Sequence, residues 1–187
     1  MRKKDDEKVK SIKEAVIKLI LQEGFHGTSV SKIARLAGVS PATVYIYFEN
    51  KEDMLHDIYT EYSEEIYDYL LECINREMEG RSQIEMLIRS YYNYISENRE
   101  VFSFVEQFSN CPSLANNCSG KKGVCNIYDL MTDMKRNRII KNYHEDNLLA
   151  IVFQPVKVIA IDSCKSEDQK ADLLQEMIQI IQDAILL

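Results

Sequence analysis

Apolar residues recur at three- and four-residue intervals along nearly the whole chain, and no stretch alternates apolar with polar for long enough to require a strand. A period near 3.6 puts one apolar stripe on each segment, and such segments are helices that must pack stripe against stripe. Punctuation is sparse. Only three prolines and six glycines interrupt 187 residues, so most helices should run long. The expected fold class is all-α, with a small N-terminal head and a larger helical body.

Stop and start signals crowd into residues 24–51. A first helix is expected from about Val9 to Glu23, carrying Ile12, Ala15, Val16, Leu19 and Ile20 on one stripe and ending at Gly24. Thr28 or Ser29 can cap a short helix from Val30 to Ala37, which Gly38 ends. Ser40-Pro41 then opens another, with serine at the N-cap and proline at the first helical position, and this one ends near Phe48. Asn50 caps a longer helix whose first turn, Lys51-Glu52-Asp53, places two acids against the helix dipole. Beyond it, helices are expected over roughly 51–79, 82–109, 120–140, 145–162 and 167–187, with a loop over 109–123. Ser166 to Gln169 has the form of a capping box, and Pro155 should kink or join the helix that contains it.

The two short helices carry the function. Ile33, Ala37, Val39, Val44 and Phe48 are spaced so that one helix rests on the next across Gly38-Val39-Ser40, and Ala34 and Gly38 are small where the backbones approach. That is a helix-turn-helix. With those positions buried, Pro41, Ala42, Thr43, Tyr45, Ile46 and Tyr47 are left facing outward, Tyr47 partly inward. Small Ala42 permits close approach to a duplex, and the Thr43 methyl suits the thymine C5 edge. Tyr45 and Tyr47 can donate to phosphate oxygens from opposite flanks. Lys51, at a helix start, favours an anion, and the caps at Thr28 and Ser40 can do the same.

Charge agrees with a polyanionic partner. Net charge is −7, yet residues 1–51 hold ten Lys/Arg against six acids, leaving +4 on the head and −11 on the remainder.

Residues 24–55, GFHGTSVSKIARLAGVSPATVYIYFENKEDML, closely resemble the N-terminal DNA-binding domain of the TetR family of transcriptional regulators. The shared features are the glycine-threonine entry, the small-residue IA..AGVS helix, the TxYxYF-like recognition helix and the KE.L-type start of the fourth helix. The resemblance implies operator contacts at Thr28, Ser40, Pro41, Ala42, Thr43, Tyr45, Tyr47 and Lys51. Pro41 and Ala42 stand where the family often has lysine and glycine, Tyr47 where it often has histidine, and acidic Glu49 follows. The implied organisation is a DNA-binding domain over 1–50 and a ligand-binding and dimerisation domain over 51–187, acting as a repressor.

The body contributes two further expectations. The last helix carries a wide apolar stripe that either the chain's own core or a second copy must cover. A two-fold homodimer interface with Leu174, Met177, Ile178, Ile181 and Ile185 is expected, and the resemblance implies dimerisation through the last two helices. The middle helices are rich in aromatics. Tyr91, Phe104, Phe108 and Tyr128 are the expected lining of a small-molecule effector site.

Other classes fit less well. The three histidines are scattered and there is no phosphate loop or nucleophile elbow, so no enzyme and no cofactor is expected. Cys111, Cys118 and Cys125, separated by gaps of six residues, supply an alternative reading as a metal or redox sensor, although metal sites favour closer pairs. No apolar run is long enough to span a membrane, and the charged N-terminus is unlike a signal peptide, so a cytoplasmic location is expected.

Overall fold

The computed structural model describes residues 2–109 and 122–187. Among them it contains nine α-helices: α1 (Arg2–Gly27), α2 (Val30–Ala37), α3 (Pro41–Tyr47), α4 (Lys51–Glu72), α5 (Gly80–Glu97), α6 (Arg99–Phe108), α7 (Lys122–Arg136), α8 (Glu145–Ile161) and α9 (Glu167–Ile185). No strand occurs among the described residues, apart from one isolated antiparallel bridge between Ile140 and Leu186. The all-α expectation holds. The chain divides into two compact units, residues 1–63 with 100–119, and residues 64–99 with 120–187.

In the first unit α1 packs on α2, and α2 on α3. Helix α1 starts earlier than its apolar stripe, at Arg2, and its regular course breaks at Gly24, whose φ of 73° only glycine adopts without strain. Ile12, Val16, Ile20, Ile33, Ala34 and Val44 are each no more than 2% exposed and form its core. Ser29 caps α2, accepting from the Lys32 N–H, and Gly38 ends α2 in the left-handed region at φ 68°. The Val39 N–H then reaches back to the Ala34 carbonyl at 2.9 Å. Asn50 caps α4 by accepting from the Asp53 N–H at 2.8 Å.

In the second unit α8 is central, packing on α5, α7 and α9. The helical segment expected over 51–79, with a break that the sequence does not place, stops at Glu72. There the Asn75 side chain accepts from the Glu77 N–H at 2.9 Å, and buried Gln83 donates to the carbonyls of Arg76 and Met78 at 3.3 and 2.7 Å. The segment expected over 82–109 splits at Asn98, whose N–H and side-chain amide both turn back to the Tyr94 carbonyl. Helix α8 runs unbroken through Pro155, where a kink or join was expected. The proline removes one donor from the helix ladder. The carbonyl that loses it is that of Ile151, which lies on an exposed face where water can replace it. Both halves of the capping box at Ser166 and Gln169 are formed.

The end of α9 is fastened locally. Lys141 donates its ammonium to the carbonyls of Asp183 and Ala184, and Gln182 and Arg81 exchange two hydrogen bonds. Gly80 makes this packing possible, because a Cβ there would lie 2.2 Å from Ile139 Cγ2. Gly80→Ala should therefore lower unfolding free energy by about 1–3 kcal/mol through overpacking, read from urea denaturation of the purified chain. A loss under about 0.5 kcal/mol would mean that Ile139 moves aside freely.

Candidate nucleic-acid interface

The geometry of α3 follows from one buried residue. Val44 is 1% exposed and seated against α2, which fixes the rotation of a helix only seven residues long. Around it the exposures alternate as a helix requires. Phe48 is buried and Thr43 and Tyr47 are half-buried, whereas Pro41, Ala42, Tyr45 and Ile46 are exposed. Tyr45 is 56% and Ile46 75% exposed.

The remaining expected DNA contacts are not equivalent. Ser40 caps α3, accepting from the Thr43 N–H at 3.1 Å, and its hydroxyl also lies 2.9 Å from that of Thr43. The Thr43 hydroxyl is thus already engaged at the cap. Thr28 is 2% exposed and donates its hydroxyl to the Gly24 carbonyl at 2.9 Å, so its side chain holds the corner after α1. Tyr47 directs its hydroxyl toward Asp5 at 3.5 Å, and Asp5 also meets Lys8. Lys51 donates to the carbonyls of Phe25 at 2.9 Å and Thr28 at 3.2 Å, and its ammonium sits 4.0 Å over the Phe25 ring. An ammonium has three donors, so one remains after these two bonds. Nothing in the sequence signalled the Asp5–Tyr47 pair, which joins positions 42 residues apart.

Part of the head's positive charge is neutralised internally. Lys13 pairs with Glu61, and Lys32 with Glu23 at 2.5 Å. Arg35 and Lys18 stay exposed.

The second unit corrects the expected dimer stripe. Leu174, Ile178, Ile181 and Ile185 are at most 5% exposed within their own chain, and Met177 is half-buried. The stripe runs inward because α8 and α5 cover it. The apolar residues left outside are different ones: Ile151 (38%), Val158 (60%) and Ile161 (47%) on α8, and Ile180 (52%) on α9, with Leu187 beyond it. Sequence periodicity finds an apolar stripe, but it cannot say which of two stripes the chain itself covers.

The four aromatic residues expected at an effector site divide between the two units, Phe104 and Phe108 in the first and Tyr91 and Tyr128 in the second. Tyr91 is buried edge-on against Phe153 with ring centroids 4.8 Å apart, and Phe104 is fully buried beside Phe108. Tyr128 donates to Asp146, and chiefly that bond pushes its pKa up to about 12. A cleft of about 560 Å³ lies elsewhere in the second unit, over Leu71, Ile74 and Leu130, and is edged by Arg76, Asp129, Asp133 and Arg136. Asp133 accepts from both arginines, at 3.2 and 3.1 Å. Cys111 and Cys118 lie outside the described residues, and Cys125 is an exposed free thiol. Among the described residues no group of three or more His, Cys, Asp or Glu is arranged to hold a metal ion. No described helix is long and apolar enough to cross a membrane.

A three-helix head whose third helix is capped, pinned by one inward residue and exposed on its other face is a helix-turn-helix. The sequence profile of bacterial regulatory proteins of the tetR family matches residues 12–58. A TetR family transcription regulator from Marinobacter aquaeolei VT8 superposes with a TM-score of 0.84 over 100% of this chain and 99% of its own, at 25% identity. An HTH-type transcriptional regulator of Haemophilus influenzae is 21% identical over 96% of both chains. The fatty acid metabolism regulator protein of Bacillus subtilis is 30% identical over 89 residues, and the match spans 48% of this chain and 46% of that protein. Residues 12–58 thus match the N-terminal domain of the tetR family, and the chain as a whole shares its fold with TetR family regulators.

The Tyr128 bond predicts a pH effect. A tyrosine whose folded pKa lies above its unfolded value near 10 adds stability that is complete below pH 10 and is lost as pH rises through about 12. Ultraviolet titration of the folded protein should lose one late-ionising tyrosine in Tyr128→Phe, and an unchanged curve above pH 11 would remove the Asp146 bond from the account.

Proposed function

We propose that the chain is a sequence-specific DNA-binding transcriptional regulator that acts as a repressor, and that a small molecule held in its second unit releases it from its operator. The observation that carries this reading is the outward face of α3, a helix held by Val44 and Ser40 and left bare at Pro41, Ala42, Tyr45 and Ile46. A bare face at the tip of a small head is what a major groove accepts. Tyr45 and Lys51 supply phosphate contacts, and the exposed Arg35 adds charge. Ser40, Pro41, Ala42, Thr43 and Tyr47 complete the contact set, while Thr28 contributes by shaping the corner.

The chain pairs two-fold through the exposed rows of α8 and α9, which places two heads on two half-sites. The effector occupies the second unit. The cleft has the volume of a metabolite-sized site, and its rim carries Arg76 and Arg136 on either side of Asp133, with Asp129 beside them. The Bacillus subtilis relative carries fatty acid metabolism in its name, which makes acyl compounds the first effectors to screen.

Fluorescence anisotropy with a duplex from the chain's own upstream region tests the DNA reading. Binding should weaken steeply with added salt, and Tyr45→Ala should lower affinity about tenfold. Absence of any binding at low salt would sink the reading. For the dimer, Val158→Arg should shift sedimentation from dimer to monomer at micromolar concentration, because a charge in a covered apolar seam is costly. A variant that stays dimeric places the seam on another face.

A further inference from the structure

We propose that Ile46 is a specificity residue that reads the C5-methyl of a thymine in each half-site. This rests on the DNA-binding reading above and adds the chemistry of the base it selects.

The argument starts from rotation. A helix turns about 100° per residue, so two steps either way from inward Val44 bring Ala42 and Ile46 to about 160° from the buried direction. Those two residues are the crest of the helix, the part that enters a groove most deeply. Thr43 and Tyr45, one step from Val44, are its flanks. The exposures agree: Ala42 and Ile46 are bare, Tyr45 is half open, and Thr43 is half-buried.

The crest is aliphatic. Neither Ala42 nor Ile46 has a donor or acceptor on its side chain, so neither can recognise a guanine or adenine edge by hydrogen bonding. The nearest hydroxyl, that of Thr43, lies 2.9 Å from Ser40 Oγ at the cap. Of all groups in the major groove, the one that rewards an apolar crest is the thymine methyl. Ile46 is also poorly explained by the protein itself. At 75% exposure it contributes nothing to the head's core, whereas Ile33 on the neighbouring helix is fully buried. A β-branched side chain is stiff, so it presents its methyls to a partner with little loss of rotamer freedom.

The flanks and crest therefore divide the work. Tyr45 and Lys51 supply polar contacts that any sequence offers, while Ile46 supplies an apolar contact that only some base pairs return. Deoxyuridine isolates the second term, because it keeps every hydrogen-bonding group of thymidine and lacks only the methyl.

The test uses the full-length chain. Duplexes are selected from a random-sequence pool, and the tightest is remade with each thymine replaced in turn by deoxyuridine. Dissociation constants are measured by anisotropy for the wild type and for Ile46→Ala, whose helix should persist because alanine favours helix more than isoleucine does. At one or two thymines per half-site, loss of the methyl should weaken wild-type binding about fourfold, the worth of one buried carbon. The same change should leave Ile46→Ala nearly unaffected. Equal sensitivity of both proteins, or none in either, overturns the thymine assignment and leaves the DNA-binding reading standing. If the pool yields no bound duplex, that reading fails and the role of Ile46 fails with it.

Discussion

Burial of Val44 against α2 sets the orientation of everything the head presents. A seven-residue helix has too few hydrogen bonds to hold itself in water, so its existence and its rotation come from packing. Ile33, Ala34 and Phe48 complete the seat, and the left-handed Gly38 allows the chain to reverse tightly enough for α3 to reach it. Once that seat is filled, the choice of which residues face outward is no longer free. Ser40 adds the first hydrogen bond, and Pro41 pre-sets the first turn.

Much of this was legible from the residues. The caps at Ser40, Asn50 and Ser166 and the stop at Gly38 follow from side-chain chemistry within four positions, and each is found where its pattern indicates. Failures came where the decisive partner is distant in sequence. The inward turn of Leu174 and Ile178 depends on α5 and α8. Thr28 misled for a related reason, because a threonine at a helix boundary serves equally as a surface contact or as a bond to the Gly24 carbonyl. Tyr128 illustrates the limit for site residues. Its aromatic ring carries no sign in the sequence of the bond that its hydroxyl makes to Asp146.

Electrostatics shows a similar gap between composition and arrangement. Within the head's formal surplus of basic residues, Lys13 is paired with Glu61 and Lys32 with Glu23, and Lys51 is partly occupied by two carbonyls and an aromatic ring. The charge that the head offers to its surroundings is therefore smaller than its count of lysines and arginines suggests.

Pro155 leaves a mark on the outer surface of α8. Because a proline has no N–H to give, the Ile151 backbone oxygen lacks its usual helical donor, and it sits on the same exposed row as Val158. Any surface that closes over this row inherits an oxygen in need of a hydrogen. Solvent held at that point, or an amide or hydroxyl brought to it, would supply that hydrogen.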